Sequence, residues 1–176
     1  DTGAMYLMKS QIKRRMKDLL NFHRGEAYRD TVILECENEV RRSGLAGRFK
    51  LYRMQLALSQ GAEVILQGRI DRVDKRSGGI YIVDYKTGRD ENAIPNPDKF
   101  EIAKREEWQK TLRSIQLPTY IMLYQTKNKG IAVQDMNCCL MLLGSKEIKE
   151  KYLFDEKTSV TVSYTHLRAH ETGRNL

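Results

Sequence analysis

The stretch GRIDRVDKRSGGIYIVDYKTG, residues 68–88, decides how the chain is read. Its second half, IYIVDYK, is β-branched and aromatic with period two, which predicts a strand. The Ser-Gly-Gly run before it predicts a tight hairpin turn with Ser77 and Gly78 at its centre. Asp71 then falls opposite Asp84, with Cβ atoms about 5 Å apart on one face. The same period groups Ile80, Ile82, Asp84 and Lys86 on that face and Tyr81, Val83 and Tyr85 on the other. A slip of one residue would separate the two aspartates. Like charges facing each other across a strand pair weaken a sheet, so this pairing needs a reason.

Chemistry supplies one. Two carboxylates this close in a poorly solvated site either share a proton or hold a cation between them. A hard divalent ion such as Mg²⁺ or Mn²⁺ suits oxygen ligands and polarises phosphodiesters. Lys86 stands where an ammonium orients a water nucleophile or stabilises a pentacovalent phosphate. The alternative is a solvated hairpin in which Lys86 merely offsets Asp84, and geometry alone leaves both open. Asp74 falls on the opposite face of a regular strand, close to the turn, and is read as a turn residue.

The chain around the hairpin has 176 residues, enough for one domain with a real core. Hydrophobic residues make up 40% and charged ones 31%, an ordinary balance for a globular domain. No apolar run is long enough to cross a membrane. A formal net charge of +8 favours a polyanionic partner, nucleic acid or an anionic membrane surface. Cys36, Cys138 and Cys139 are odd in number and two are adjacent, which argues against a disulfide framework and fits a reducing compartment. The start of the chain runs almost at once into a helical pattern without an initiator Met, so we expect it to begin inside a longer protein.

Residues 5–28 predict an amphipathic helix with Leu7, Ile12, Met16, Leu19, Leu20 and Phe22 leaning to one side. Lys9, Lys13, Arg14, Arg15 and Lys17 occupy its other side. TVILECENEV begins as a strand, and the segment from Lys50 is ambiguous until Glu63, where it becomes strand. A polar, Pro-containing loop follows the hairpin. EIAKREEWQKTLRSIQLPTYIMLYQTKN predicts helix in two pieces, with Ser114 capping the second and Pro118 in its first turn. DMNCCLMLL predicts a buried strand and KEIKEKYLFDEKTSVTV a polar edge strand or hairpin. This order predicts an α/β fold with a mixed sheet flanked by helices. The tail, residues 161–176, is read as disordered or as translated adapter read-through, although His166 and His170 are spaced like half of a metal site.

GRID followed by IVDYKTG resembles the core signature of the PD-(D/E)xK phosphodiesterase superfamily, and within it the RecB-like branch of helicase–nuclease subunits. The likeness covers roughly residues 60–145 of an expected partial domain over residues 1–160, and implies a restriction-endonuclease-like core. It places Asp71 and Asp84, with the Tyr85 main-chain carbonyl, on a Mg²⁺ or Mn²⁺ ion, and gives Lys86 the catalytic ammonium. The branch also has a Q-x-x-x-Y motif on the next helix, matched by Gln116 and Tyr120, which would contact the nucleic-acid backbone. Arg69 and Arg72 flank the acid and are read as phosphate contacts.

The pattern departs from the family in two places. The branch carries a metal-binding His upstream, and His23 is the only candidate in a context that does not match, so the true His is expected before residue 1. An acidic residue often precedes the first strand, and Glu35 or Glu37 could fill that place. Some relatives carry an iron–sulfur cluster, but the adjacent Cys138 and Cys139 lack its spacing, so none is expected. The resemblance implies a metal-dependent DNA nuclease, an exonuclease of recombination or repair, working in the bacterial cytoplasm at the nucleoid with a helicase domain or subunit. The competing expectation is a non-catalytic DNA-binding or scaffolding module of such a complex.

Overall fold

The computed structural model describes residues 3–36, 51–58, 61–77, 79–88, 94–95, 101 and 104–154. Helix α1 (Gly3–His23) is followed by strands β1 (Val32–Cys36), β2 (Tyr52–Ala57), β3 (Glu63–Gly68), β4 (Arg72–Arg76) and β5 (Gly79–Lys86). Helices α2 (Trp108–Leu112) and α3 (Gln116–Lys127) lead to strands β6 (Met136–Leu142) and β7 (Lys149–Tyr152). Five strands form a mixed sheet in the order β1-β4-β5-β6-β7, and β2 pairs with β3 as a separate ribbon. Among the described residues the one parallel pair, β5 with β6, is joined by the crossover that carries α2 and α3. Parallel neighbours require such a connection.

The β4–β5 hairpin has the register that its turn residues predict. Arg72 pairs with Val83, Val73 with Ile82 and Arg76 with Gly79. Gly79 has φ +133, and a Cβ on it would come 2.2 Å from the Asp135 carbonyl oxygen, so no other residue fits there. The alternation sends Val73, Ile80 and Ile82 to a front core with Leu117, Ile121 and Leu123 of α3, together with Tyr52 of the ribbon. Val83 goes to a rear core with Tyr28, Cys139 and Met141, where Leu19 and Phe22 of α1 also pack.

Three expectations need correction. The first helix ends at His23, because Gly25 is extended, and a separate 3-10 turn holds Glu26–Tyr28. Only the last turns of α1 reach the core, leaving Leu7, Ile12, Met16 and Leu20 exposed. Ser114 accepts a hydrogen bond from the Gln116 amide at 3.2 Å, but Ile115 is the residue at the cap of α3. Asp74, read as a turn residue, lies within β4 and is 0% exposed.

Asp74 is the centre of a rear-face ionic network. Its Oδ1 accepts from Arg72 Nε at 2.5 Å, and its Oδ2 accepts from Arg72 Nη2 at 2.8 Å and Arg76 Nη2 at 3.0 Å. Arg76 continues to Glu150 at 2.8 Å and to the hydroxyls of Tyr28 and Tyr152. Burial opposes ionisation of Glu150, but Arg76 and the two tyrosine hydroxyls hold its carboxyl below the ordinary value. Two cations and two anions cancel, although Arg76 Nε has no hydrogen-bond partner among the described residues, and removing one charge alone leaves its partners buried and unpaired. Asp74→Ala strands Arg72 and Arg76 and is expected to cost about 3–5 kcal/mol in a urea melt. Loss of less than about 1 kcal/mol would show that the network is not satisfied as described.

Candidate active site

At the end of the hairpin the ladder stops one residue short of the acid. Asp71 sits in a bend just before β4, opposite Asp84 in the continued register. Its Oδ2 accepts a hydrogen bond from the Tyr85 main-chain N–H at 2.8 Å, so the side chain completes the ladder where the β4 backbone ends. N–H and C=O of one strand residue leave on the same side. The Tyr85 carbonyl therefore points toward the edge occupied by Asp71.

Asp84 and Lys86 stand on the front face of β5. Asp84 is 3% exposed. Its Oδ1 accepts from Gln116 Nε2 at 3.0 Å, and its Oδ2 lies 2.7 Å from Lys86 Nζ. That second contact is an ion pair without hydrogen-bond alignment, so buried Oδ2 has no hydrogen-bond donor. Lys86 Nζ also donates to Gln116 Oε1 at 2.8 Å, and Gln116 Nε2 donates to the Tyr120 hydroxyl at 2.8 Å. This fixes the amide orientation, because the reverse would point an NH₂ at an ammonium. Gln116 and Tyr120 lie one turn apart on α3 and so share a face. Gly68 makes room for Tyr120 and Leu123 of that helix: a Cβ there would fall 3.1 Å from Tyr120 Cε1 and 3.0 Å from Leu123 Cδ1. Sequence reading passed over Gly68, whose only signal was its place at the start of GRID.

Burial raises the Asp84 pKa; Lys86 opposes this and the Asp71 charge adds to it, leaving the carboxyl above its ordinary value. Burial also raises the Tyr120 hydroxyl, against the Gln116 hydrogen bond. Two neighbouring carboxylates, one of them buried with an oxygen that meets only the poorly aligned Lys86 ammonium, are a donor set for a hard cation. Asp71, Asp84 and the Tyr85 carbonyl would supply oxygen ligands. Among the described residues, no group of three or more His, Cys, Asp and Glu side chains is arranged to hold a metal ion.

Other sequence candidates are placed elsewhere. Arg72 is 4% exposed and lies on the rear face, so it is not presented to a strand lying over Asp84. Its reading as a phosphate contact is corrected: the alternation that brings Asp71 forward sends Arg72 back. Arg69 is exposed beside the acid. Glu35 pairs with Val73 across β1 and β4, and accepts a hydrogen bond from the Tyr52 hydroxyl. Glu37 lies outside the described residues, as do His166 and His170. His23 is at the rear, its Nε2 2.9 Å from Arg72 Nη1. A guanidinium only donates, so Nε2 is the unprotonated nitrogen and is already engaged. Burial, and then Arg72, lower the His23 pKa.

The sequence profile of the PD-(D/E)XK nuclease superfamily matches residues 4–170. No curated protein sequence matches the chain.

A folded-state pKa above the unfolded value means that the protonated carboxyl favours folding. The Asp84 contribution is therefore present below the ordinary pKa of 3.8 and lost as pH rises through the raised value. In metal-free buffer, Asp84→Asn is expected to melt above wild type at pH 7. Thermal melts from neutral pH down to about 4 should show that advantage shrinking. An advantage that is constant with pH would refute the assignment.

Proposed function

The chain belongs to the PD-(D/E)XK nuclease superfamily, and on that footing we propose that it is a Mg²⁺-dependent DNA nuclease. Superfamily membership makes it a nuclease domain, and its mixed sheet flanked by helices is the restriction-endonuclease-like arrangement. One observation carries the finer reading: Asp84, Lys86, Gln116 and Tyr120 form a continuous polar chain beside Asp71, with a buried Asp84 oxygen left without a hydrogen-bond donor. A solvated structural hairpin does not bury an aspartate in this state.

Asp71, Asp84 and the Tyr85 carbonyl would hold the ion. A divalent cation bound there polarises the scissile phosphate and acidifies a water. Lys86, about a third exposed, presents its ammonium to solvent from the same edge. It orients the attacking water and offsets charge as the phosphate becomes pentacovalent. Gln116 holds Lys86 and Asp84 in register with each other, and Tyr120 steadies Gln116 while facing the strand. Arg69 supplies a phosphate contact at the rim. The net charge of +8 supports salt-sensitive attraction to DNA.

We further place the chain in the RecB-like branch, on the order of GRID, IVDYKTG and QLPTY. The reading is an exonuclease of recombination or repair that works with a helicase domain or subunit. Among the described residues no helix is long and apolar enough to cross a membrane. A bacterial cytoplasmic, nucleoid-associated setting is part of the same proposal.

The test is degradation of linear single- and double-stranded DNA with Mg²⁺, with EDTA, and by variants. Lys86→Ala is expected to lose about 10²–10³-fold in kcat, the scale for one charge-stabilising donor. Asp84→Ala should lose at least as much, and EDTA should abolish cleavage. Equal activity in wild type and Asp84→Ala would sink the site. The lack of a third acidic or His ligand among the described residues favours one competitor, a non-catalytic DNA-binding module. DNA binding without cleavage in every protein tested would select it.

A further inference from the structure

Asp71 lies outside the ladder, so regular strand pairing does not hold it. Among the described residues its side chain accepts a hydrogen bond from the Tyr85 amide alone, and its main chain is continuous with Arg72. Those two neighbours meet on the other side of the sheet, where Arg72 Nη1 donates to the Tyr85 hydroxyl at 3.1 Å. The contacts close a ring: Asp71 carboxylate, Tyr85 amide, Tyr85 hydroxyl, Arg72 guanidinium, and back along one peptide bond to Asp71. The ring passes through the sheet, with its front member at the proposed metal edge and its rear members in the ionic network.

The rest of the network makes that ring rigid. Arg72 spends Nε and Nη2 on Asp74 and its two Nη1 contacts on His23 and Tyr85. A planar guanidinium held by a bidentate carboxylate has one orientation, which transmits a fixed position to whatever its remaining donors touch. Apolar residues of similar volume would fill the space at equal or better stability. They would not aim a donor at Tyr85.

We propose that Arg72 and Tyr85 are positioning residues that hold Asp71 at the metal edge from the rear of the sheet. This rests on the nuclease reading above. The rear network is then the outer support of the acid, in the way that hydrogen-bonded partners orient metal ligands elsewhere.

Tyr85→Phe tests it with the smallest change, because the ring and its packing stay and only the hydroxyl is lost. A second variant, Arg72→Met/Asp74→Leu, removes both charges of the ion pair and leaves Arg76 paired with Glu150 alone of its two carboxylates. Mn²⁺ affinity is read by titration calorimetry, folding by thermal melts, and DNA cleavage as separate kcat and KM. Both variants are expected to remain folded, to bind Mn²⁺ about tenfold more weakly and to lose about tenfold in kcat, with KM for DNA unchanged. Mn²⁺ affinity and kcat within about twofold of wild type in both would overturn the inference while leaving the nuclease reading intact. A Tyr85→Phe protein that fails to fold would assign the hydroxyl to stability and overturn it too. If wild type neither binds Mn²⁺ nor cuts DNA, the nuclease reading falls and takes this inference with it.

Discussion

The β4–β5 register is the constraint on which everything else rests. A strand has period two, so a shift of one residue exchanges the faces of every side chain on it. Shifted, the hairpin would drive Arg72, Asp74 and Arg76 into the front core and lift Val73 toward α1. Both cores and both polar systems would fail together. The Gly79 conformation, which the Asp135 backbone permits to no other residue, pins the turn that sets this register.

Two buried aspartates on one hairpin show what the register separates. Asp74 accepts three hydrogen bonds from two guanidinium groups, so both of its oxygens are engaged. Asp84 receives one amide donor and one poorly aligned ammonium, and keeps an oxygen without a hydrogen bond. The residue type is the same and burial is similar, but only the second has coordination capacity to spare. A charge-balanced rear and an unbalanced front thus lie on either side of one layer of backbone in the same short sequence.

The hairpin, its register and its grouping of Asp84 with Lys86 were legible because turn residues and period two are local signals. The second piece of the helix was legible from Pro118, which suits a first turn, although its cap was placed one residue early, and the helix face shared by Gln116 and Tyr120 was legible from their spacing. Asp74 was misread because an aspartate near a Gly-rich turn has the same local pattern whether solvated or buried. Its partner Arg76 is tied to Glu150, 74 residues away, and no local pattern reports that contact. Arg72 was misassigned for the same reason, since alternation says which face it takes but not what covers that face. The length of α1 was overestimated because its helical pattern carries on past a single glycine. Gly68 could be explained only once Tyr120 was seen against it.

The parallel neighbours β5 and β6 impose an order on assembly. The hairpin brings Asp71 to Asp84 across a short loop, but Gln116 reaches Lys86 and Asp84 only when the crossover closes. Closing a long loop costs entropy before its contacts repay it, so that step comes late and draws on the burial of Leu117, Ile121 and Leu123. The polar chain at the site is therefore finished by the same event that seals the front core. An isolated hairpin, or a nascent chain that has not yet reached α3, carries both aspartates without the Gln116 amide that joins Asp84 to Lys86.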